Sequence, residues 1–126
     1  MIAFIQDRHG LGRAGERLVV WWLRMLGFRI VATNWRGSGG ELDIVARRWQ
    51  RLHIIEVKTR KRGRSPPRLA VNRQKRRRLV CTARQFLRTE KLHLKQIQFD
   101  VAEVRWPFVK MVWDAFRAEE QEQGPR

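Results

Sequence analysis

Three side chains in this chain could cooperate in hydrolysing a phosphodiester: Asp43 in Gly40-Glu41-Leu42-Asp43, and Glu56 and Lys58 in Glu56-Val57-Lys58. Carboxylates supply the oxygen ligands that hard divalent cations such as Mg²⁺ or Mn²⁺ take, and such a cation keeps its other positions for water and substrate phosphates. A lysine beside them supplies an ammonium that stabilises charge developing on the phosphoryl group or orients the attacking water. The expected chemistry is in-line attack of an activated water on a phosphodiester, with Asp43 and Glu56 holding the metal. It requires two separate stretches of chain to meet.

A hairpin would bring them together. Leu42, Ile44 and Ala46 alternate with Asp43, Val45 and Arg47, and a β-branched run resumes from Leu52 to Lys58, so two strands are expected around a turn at Trp49-Gln50. With a two-residue turn, Arg48 faces Arg51, Asp43 falls opposite Glu56 and Glu41 opposite Lys58, and these last four charges share a face. Leu42, Ile44 and Ala46 then meet Val57, Ile55 and His53 on an apolar face. A slip of one residue would push the charges into the core, so burial supports the register. Two carboxylates facing each other with Cβ atoms roughly 5 Å apart repel unless a cation lies between them. The competing reading is a solvated outer face on which Glu41 and Lys58 simply pair.

The charge balance points to a polyanion. The 126 residues carry 28 Lys plus Arg against 12 Asp plus Glu, a net +16, in a length suited to one domain. Nucleic acid is the expected partner rather than a membrane, because the apolar start MIAFI is too short to span and no later apolar run approaches about 20 residues. Arg60, Lys61, Arg62 and Arg64 follow the second strand, and Arg73, Lys75, Arg76 and Arg77 crowd the start of a later helix; both groups are expected to track phosphates. A single cysteine, Cys81, excludes an internal disulfide and a multi-cysteine zinc site, which suits a cytoplasmic protein.

The remaining elements must position this hairpin. Gly10 to Gly15 spells G-x-G-x-x-G, but no strand precedes it and no acidic residue follows about 20 positions on, so it reads as a coincidence of glycines. Arg13 to Leu26 is expected to be a helix closed by Gly27, with apolar residues around most of its circumference, which suggests burial against the sheet and a further surface such as a second subunit. Glu16 shares a stripe with Val19, Val20 and Leu23, so it either points at the sheet or serves as an N-terminal dipole partner. Phe28 to Trp35 alternates as a strand. Ser65-Pro66 could open a helical turn, and Asn72 could cap a helix whose core stripe is Leu79, Val80, Ala83, Phe86 and Leu87, with Lys75 at the end approaching the hairpin. Ile97 to Arg105 and Phe108 to Trp113 give two more strands around Trp106-Pro107, and the acidic tail from Ala118 is expected to fray. His53 reads as a core histidine and Asp100 as a carboxylate bonding backbone near a strand end. Trp49, among Arg47, Arg48 and Arg51 at the hairpin tip, could stack on a base of an opened strand or pack on a partner subunit.

The order αβββαββ implies an α/β fold, a central mixed sheet flanked by helices, in one domain from 13 to 116 with extensions at 1–12 and 117–126. The segments Ala14-Gly15-Glu16, Asn34-Trp35-Arg36, Gly40 to Ala46, Ile55 to Arg60, Phe99-Asp100-Val101 and Asp114-Ala115-Phe116 resemble the YraN family. That bacterial family is placed among nucleases of the PD-(D/E)xK type and is similar to archaeal Holliday-junction resolvases. The resemblance implies a restriction-endonuclease-like core, Asp43 and Glu56 as metal ligands, Lys58 as the catalytic lysine, Glu16 as an accessory acid and Lys75 as a basic contact. At Ser65-Pro66-Pro67 the chain departs from the family, which usually carries a glycine before its proline. The reading is therefore a metal-dependent endonuclease acting on branched or otherwise structured DNA. The alternatives are a nuclease-fold module that binds nucleic acid without efficient hydrolysis, and a basic RNA-binding protein.

Overall fold

A computed structural model of the chain describes residues 8–60, 72–92 and 96–118. Its elements follow the expected order: α1 (Arg8–Met25), β1 (Arg29–Arg36), β2 (Glu41–Arg48), β3 (Arg51–Thr59), α2 (Arg73–Thr89), β4 (Gln96–Arg105) and β5 (Phe108–Phe116). The strands form one five-stranded sheet in sequence order. Every neighbouring pair is antiparallel except β3 with β4, which is parallel. A parallel pair needs a long crossover, and the segment carrying α2 supplies it. The sheet is thus mixed, and β1 and β5 are its edges.

Each helix covers a different face. Val19 and Leu23 of α1 join Phe28, Ile44, Ala46, Ile55, Ala102 and Val104 in one buried cluster. Leu79, Val80, Ala83 and Phe86 of α2 join Leu42, Val45, Leu52, Ile54, Phe99, Val101 and Phe116 in another. The central strands are therefore buried on both sides, as in sheets sandwiched between helices. This corrects the expectation of one charged and one apolar hairpin face. The face bearing Asp43 and Glu56 is a second core that turns polar only at its end.

Several ends differ from the sequence reading. Helix α1 begins at Arg8, so Gly10, Gly12 and Gly15 lie within it and the G-x-G-x-x-G pattern forms no phosphate loop. Gly27 follows with φ 91, the left-handed value that lets the chain turn from α1 into β1. Strand β5 runs on to Phe116, past the expected stop at Trp113. Asn72 caps α2 as expected, its Oδ1 accepting the Lys75 N–H at 2.9 Å. The Trp106-Pro107 bond between β4 and β5 is cis. On the outer side of α1, Trp21, Trp22, Met25 and Leu26 are exposed in the single chain.

Gly15 sets how closely α1 approaches the strand that carries the candidate lysine. A Cβ at this position would stand 2.5 Å from the Thr59 Oγ1, whereas one at Gly12 would meet nothing within 4 Å. Helix propensity alone would make either Gly→Ala change stabilising by about 1 kcal/mol. Gly12→Ala is expected to follow that rule. Gly15→Ala is expected to reverse it, because overpacking costs about 1–3 kcal/mol. Urea midpoints of the two variants should move in opposite directions; a gain for Gly15→Ala would show that the contact has room to relax.

Candidate active site

The hairpin register is the expected one where the ladder exists: Arg48 pairs Arg51, Ala46 pairs His53 and Ile44 pairs Ile55. The ladder's last pair is Ile44 with Ile55, and beyond it β2 changes face. Leu42 lies in the α2 cluster while Ile44 lies in the α1 cluster, although simple alternation would put them together. Across the strand pair, Asn34 adopts φ 52. The Asp43 carboxylate takes over as the acceptor for β3, its Oδ2 receiving the Val57 N–H at 2.9 Å. A side chain thus continues the ladder and is thereby pinned beside Glu56.

Glu56 is only 7% exposed. Its Oε1 lies 2.7 Å from the Lys75 Nζ and 3.6 Å from the Lys58 Nζ. A buried carboxylate is costly unless paired, and these two ammonium groups are its partners. Lys75 reaches it from the first turn of α2, which is how the crossover helix contributes to a site built on the hairpin. Two carboxyl groups, Asp43 and Glu56, and two ammonium groups, Lys58 and Lys75, form one cluster.

The fields inside that cluster are strong. Burial raises the Asp43 carboxyl to about 7, assisted by the neighbouring charge of Glu56 and a hydrogen bond between the two carboxyl groups; the Val57 N–H opposes the shift. Burial lowers the pKa of Lys58, and its contact with Lys75 adds to that, against the pull of Glu56 and Asp43. Burial also acts to lower Lys75, but the bonds to Glu56 and Lys58 and the nearby carboxylates outweigh it and the pKa is raised. Glu16 is raised by burial, with a side-chain bond to Asn34 opposing and Glu41 and Glu56 adding to the rise. It stands within the field of the cluster while lining a separate groove between α1 and β1, together with Arg13, Arg17 and Arg24.

Asp43, Glu56 and Lys75 of the cluster line a cavity of about 470 Å³, whereas Lys58 lies outside its lining and reaches it only through Glu56. Glu41, Asp43 and Glu56 line one wall and Asn72, Gln74, Lys75 and Arg78 of the α2 start line another. Glu41 is held by Arg36 at 3.6 Å, so the surface pair of Glu41 with Lys58 is replaced by Arg36–Glu41 and Lys58–Glu56. Among the described residues no three or more His, Cys, Asp or Glu side chains are grouped to hold a metal. The Asp43 and Glu56 carboxylates on this open cavity are oxygen donors, the type that Mg²⁺ and Mn²⁺ take, whereas zinc favours nitrogen and sulfur.

The basic residues divide. Arg73 and Arg77 are exposed at the start of α2, whose first turn has no acidic residue. Arg76 is partly buried and lays its guanidinium over the Phe116 ring at 5.4 Å. Arg60 is half-buried at the end of β3; its backbone N–H donates to the Val104 carbonyl at 2.8 Å and its Nε is buried without a protein partner. Lys61, Arg62 and Arg64, like the Ser65-Pro66-Pro67 turn and the tail beyond Ala118, lie outside the described residues.

The family model described as uncharacterised protein family UPF0102 matches residues 15–104. The chain belongs to this family, also known as YraN. A UPF0102 protein of Nocardia farcinica is 41% identical over 105 residues, spanning 82% of this chain and 83% of the relative. One from Syntrophotalea carbinolica is 43% identical over 101 residues, 79% and 81% of the two chains, and one from Pelobacter propionicus is 42% identical over 98 residues, 75% and 70%. The span matched to the YraN family takes in Glu16, Asp43, Glu56, Lys58 and Lys75, so every member of the cluster lies within family sequence. It ends inside β4, before the strand that bears Trp113.

Sequence reasoning missed two residues beside the acidic groups. Asn34 lines the α1–β1 groove with Glu16, and Arg36 pairs Glu41 at 3.6 Å. Neither had a readable signal, because their roles follow from the turn of β1 beside β2. Arg78, the last of the basic run from Arg73 that the sequence sets against phosphates, lines the cavity with Lys75. His53 is buried, as expected of a core histidine, and Asp100, 1% exposed, accepts the backbone Asp114 N–H at 2.8 Å; that its other oxygen lies 2.7 Å from the His53 Nδ1 was not legible in the sequence.

Proposed function

We propose that this protein is a divalent-metal-dependent nuclease acting on DNA, including branched or otherwise structured DNA. The observation that carries this reading is Glu56, buried against Asp43 on the floor of an open cavity and flanked by Lys58 and Lys75. A protein that only bound polyanions would gain nothing by placing two acidic groups inside a basic cavity, where they repel phosphate.

Asp43 and Glu56 would hold Mg²⁺ or Mn²⁺, which when bound neutralises phosphate charge and acidifies water at the site. The chain's own residues do the rest. Val57 fixes the Asp43 carboxylate by its N–H. Lys58, half-buried and with a lowered pKa, donates hydrogen bonds to the phosphoryl oxygens as negative charge builds on them. Lys75 and Arg78 draw the phosphate into the cavity, and Glu16 supports the cluster's charge from the α1 side. Arg73 and Arg77 repel one another at the positive end of the α2 dipole, a cost that a nucleic-acid backbone relieves.

The second reading, a nuclease-fold module that binds without cutting, has one observation in its favour. Lys75 already stands 2.7 Å from Glu56, and Asp43 near 7 is half protonated at neutral pH, so the acidic pair is partly neutralised without a cation. A cleavage assay over duplex, single-stranded, flap and four-way-junction DNA, with Mg²⁺, Mn²⁺ or EDTA, decides between them. Cleavage that EDTA abolishes supports the nuclease; binding without cleavage of any substrate supports the module.

The basic surface is tested by salt. Arg73→Ala and Arg77→Ala should each reduce the magnitude of the log-log salt slope of duplex affinity by about 0.9, the loss of one phosphate contact. Arg76→Ala should change it less, since its guanidinium is engaged on Phe116. Anisotropy titrations from low to moderate salt measure this, and slopes equal to the parent's for all three variants would remove α2 from the interface.

A further inference from the structure

A second cavity, of about 600 Å³, lies at the closed end of the β2–β3 hairpin. Its walls include the indoles of Trp49 and Trp113, the guanidinium of Arg51, the amides of Gln96 and Gln98, and the imidazole of His53. These polar groups are joined in one chain of bonds. Arg51 donates to the Gln96 Oε1 at 3.1 Å and to the Gln98 Oε1 at 2.9 Å. Gln98 donates to the Asp100 Oδ1 at 2.8 Å, and the Asp100 Oδ2 lies 2.7 Å from the His53 Nδ1. His53 is 4% exposed, and the edges of Phe28 and Trp113 pack around it. Planar donors and acceptors are thus held in place before any ligand arrives.

The rim is aromatic, with Trp113 stacked on Phe28 and Trp49 open to solvent. Trp49 sits at the turn with φ 57 and is 84% exposed. Arg48 lies 4.4 Å from the Phe28 ring centre and 5.1 Å from that of Trp49, which steadies the indole at the mouth of the cavity. An exposed π-face beside fixed hydrogen-bonding edges matches a nucleobase, which stacks through one surface and bonds through its rim. In a duplex both are already used by neighbouring and paired bases.

We propose that this cavity binds one unpaired base of a nucleic-acid strand, stacked on Trp49 with its edge towards Arg51 and His53. The inference rests on nucleic acid being the partner and names the class within it: DNA with a single-stranded segment beside the duplex. Trp49 and Glu56 are seven positions apart along the chain, about 20 Å at the rise of a strand. The unpaired base is therefore read at a distance from the phosphodiester to be cut.

The test is anisotropy of labelled single-stranded oligo(dT) and of a blunt duplex of equal length, in EDTA so that no cleavage occurs, with thymidine monophosphate as competitor. Trp49→Ala should weaken single-strand binding tenfold or more and duplex binding less than twofold. Gln96→Ala, at the exposed end of the bonded chain, should weaken single-strand binding several-fold, with melting temperature unchanged in both variants. Equal loss on both DNA forms, or no loss on either, would overturn the assignment. So would a change of oligomeric state on sedimentation of Trp49→Ala, which would give the indole to a second copy, or competition by the mononucleotide at the oligonucleotide's own concentration, which would make this a free-nucleotide site. The two readings fail separately: strand discrimination without any cleavage sinks only the nuclease, and metal-dependent cleavage with an indifferent Trp49 sinks only the base site.

Discussion

Glu56→Gln and Lys58→Ala will each lower metal-dependent DNA cleavage by a hundredfold or more while leaving DNA affinity within a few-fold. A hundredfold loss corresponds to about 3 kcal/mol of transition-state stabilisation, the usual effect of removing one preorganised charge from a phosphoryl- or acyl-transfer site. The geometry explains why affinity should survive. Glu56 is buried against Lys58 and Lys75, so its carboxylate contributes to the cavity's internal balance rather than to the surface that meets DNA. Glutamine keeps the shape and leaves two ammonium groups with one partner fewer, which favours phosphate binding if it changes it at all. Lys58 is half-buried, and the many exposed arginines carry the long-range attraction. Single-turnover cleavage and anisotropy on the same preparations separate the two effects. Parallel loss of affinity and rate would assign these residues to binding or folding.

The second large effect is on stability. Without metal, the folded state holds the Asp43 proton up to about 7, against 3.8 for the free side chain. Between those values the unfolded chain has released its proton and the folded chain has not, so folding takes up a proton there. Stability must then fall as pH rises from about 4 to about 7 and level off above. The ceiling on this loss is on the order of 4 kcal/mol, from about three pKa units at 1.36 kcal/mol each. Asp43→Asn removes the titration. Its side-chain oxygen can still accept the Val57 N–H, and its amide can donate to Glu56, so at pH 8 in EDTA the variant should melt at or above the parent. The usual substitution costs about 1 kcal/mol, which makes the sign diagnostic. Mg²⁺ or Mn²⁺ at a hundred times Kd should stabilise the parent by about 2.7 kcal/mol and the variant far less. Should Asp43→Asn melt lower in EDTA at pH 8, with metal stabilising neither protein, Asp43 and Glu56 do not share a site.

Much of this architecture is written locally in the chain. Alternation from Leu42 to Arg47 and the β-branched run after Trp49-Gln50 determine the hairpin and its register, because parity alone decides which side chains share a face. Asn72 marks the start of α2, and the spacing of Leu79, Val80, Ala83 and Phe86 marks its buried stripe. The same parity puts Glu56 and Lys58 on one face and brings Asp43 to their end of the hairpin, where the Val57 N–H rather than the ladder holds it. The sequence also told the family, since the motif blocks lie on contiguous stretches.

What only the tertiary structure decided depends on contacts between elements far apart in the chain. Periodicity says that a strand alternates but not that both of its faces are covered; here the helices lie on opposite faces, so the charged side became a second core. The switch of face between Leu42 and Ile44 arises from the neighbouring strand, where Asn34 takes a left-handed conformation beside Asp43. The contact of Lys75 with Glu56 depends on where the crossover sets down the first turn of α2, and that of Arg51 with Gln96 and Gln98 on β3 lying parallel to β4. Such distances are set by how layers stack and strands order, a balance of burial summed over the whole chain, and no local spacing of residues encodes it.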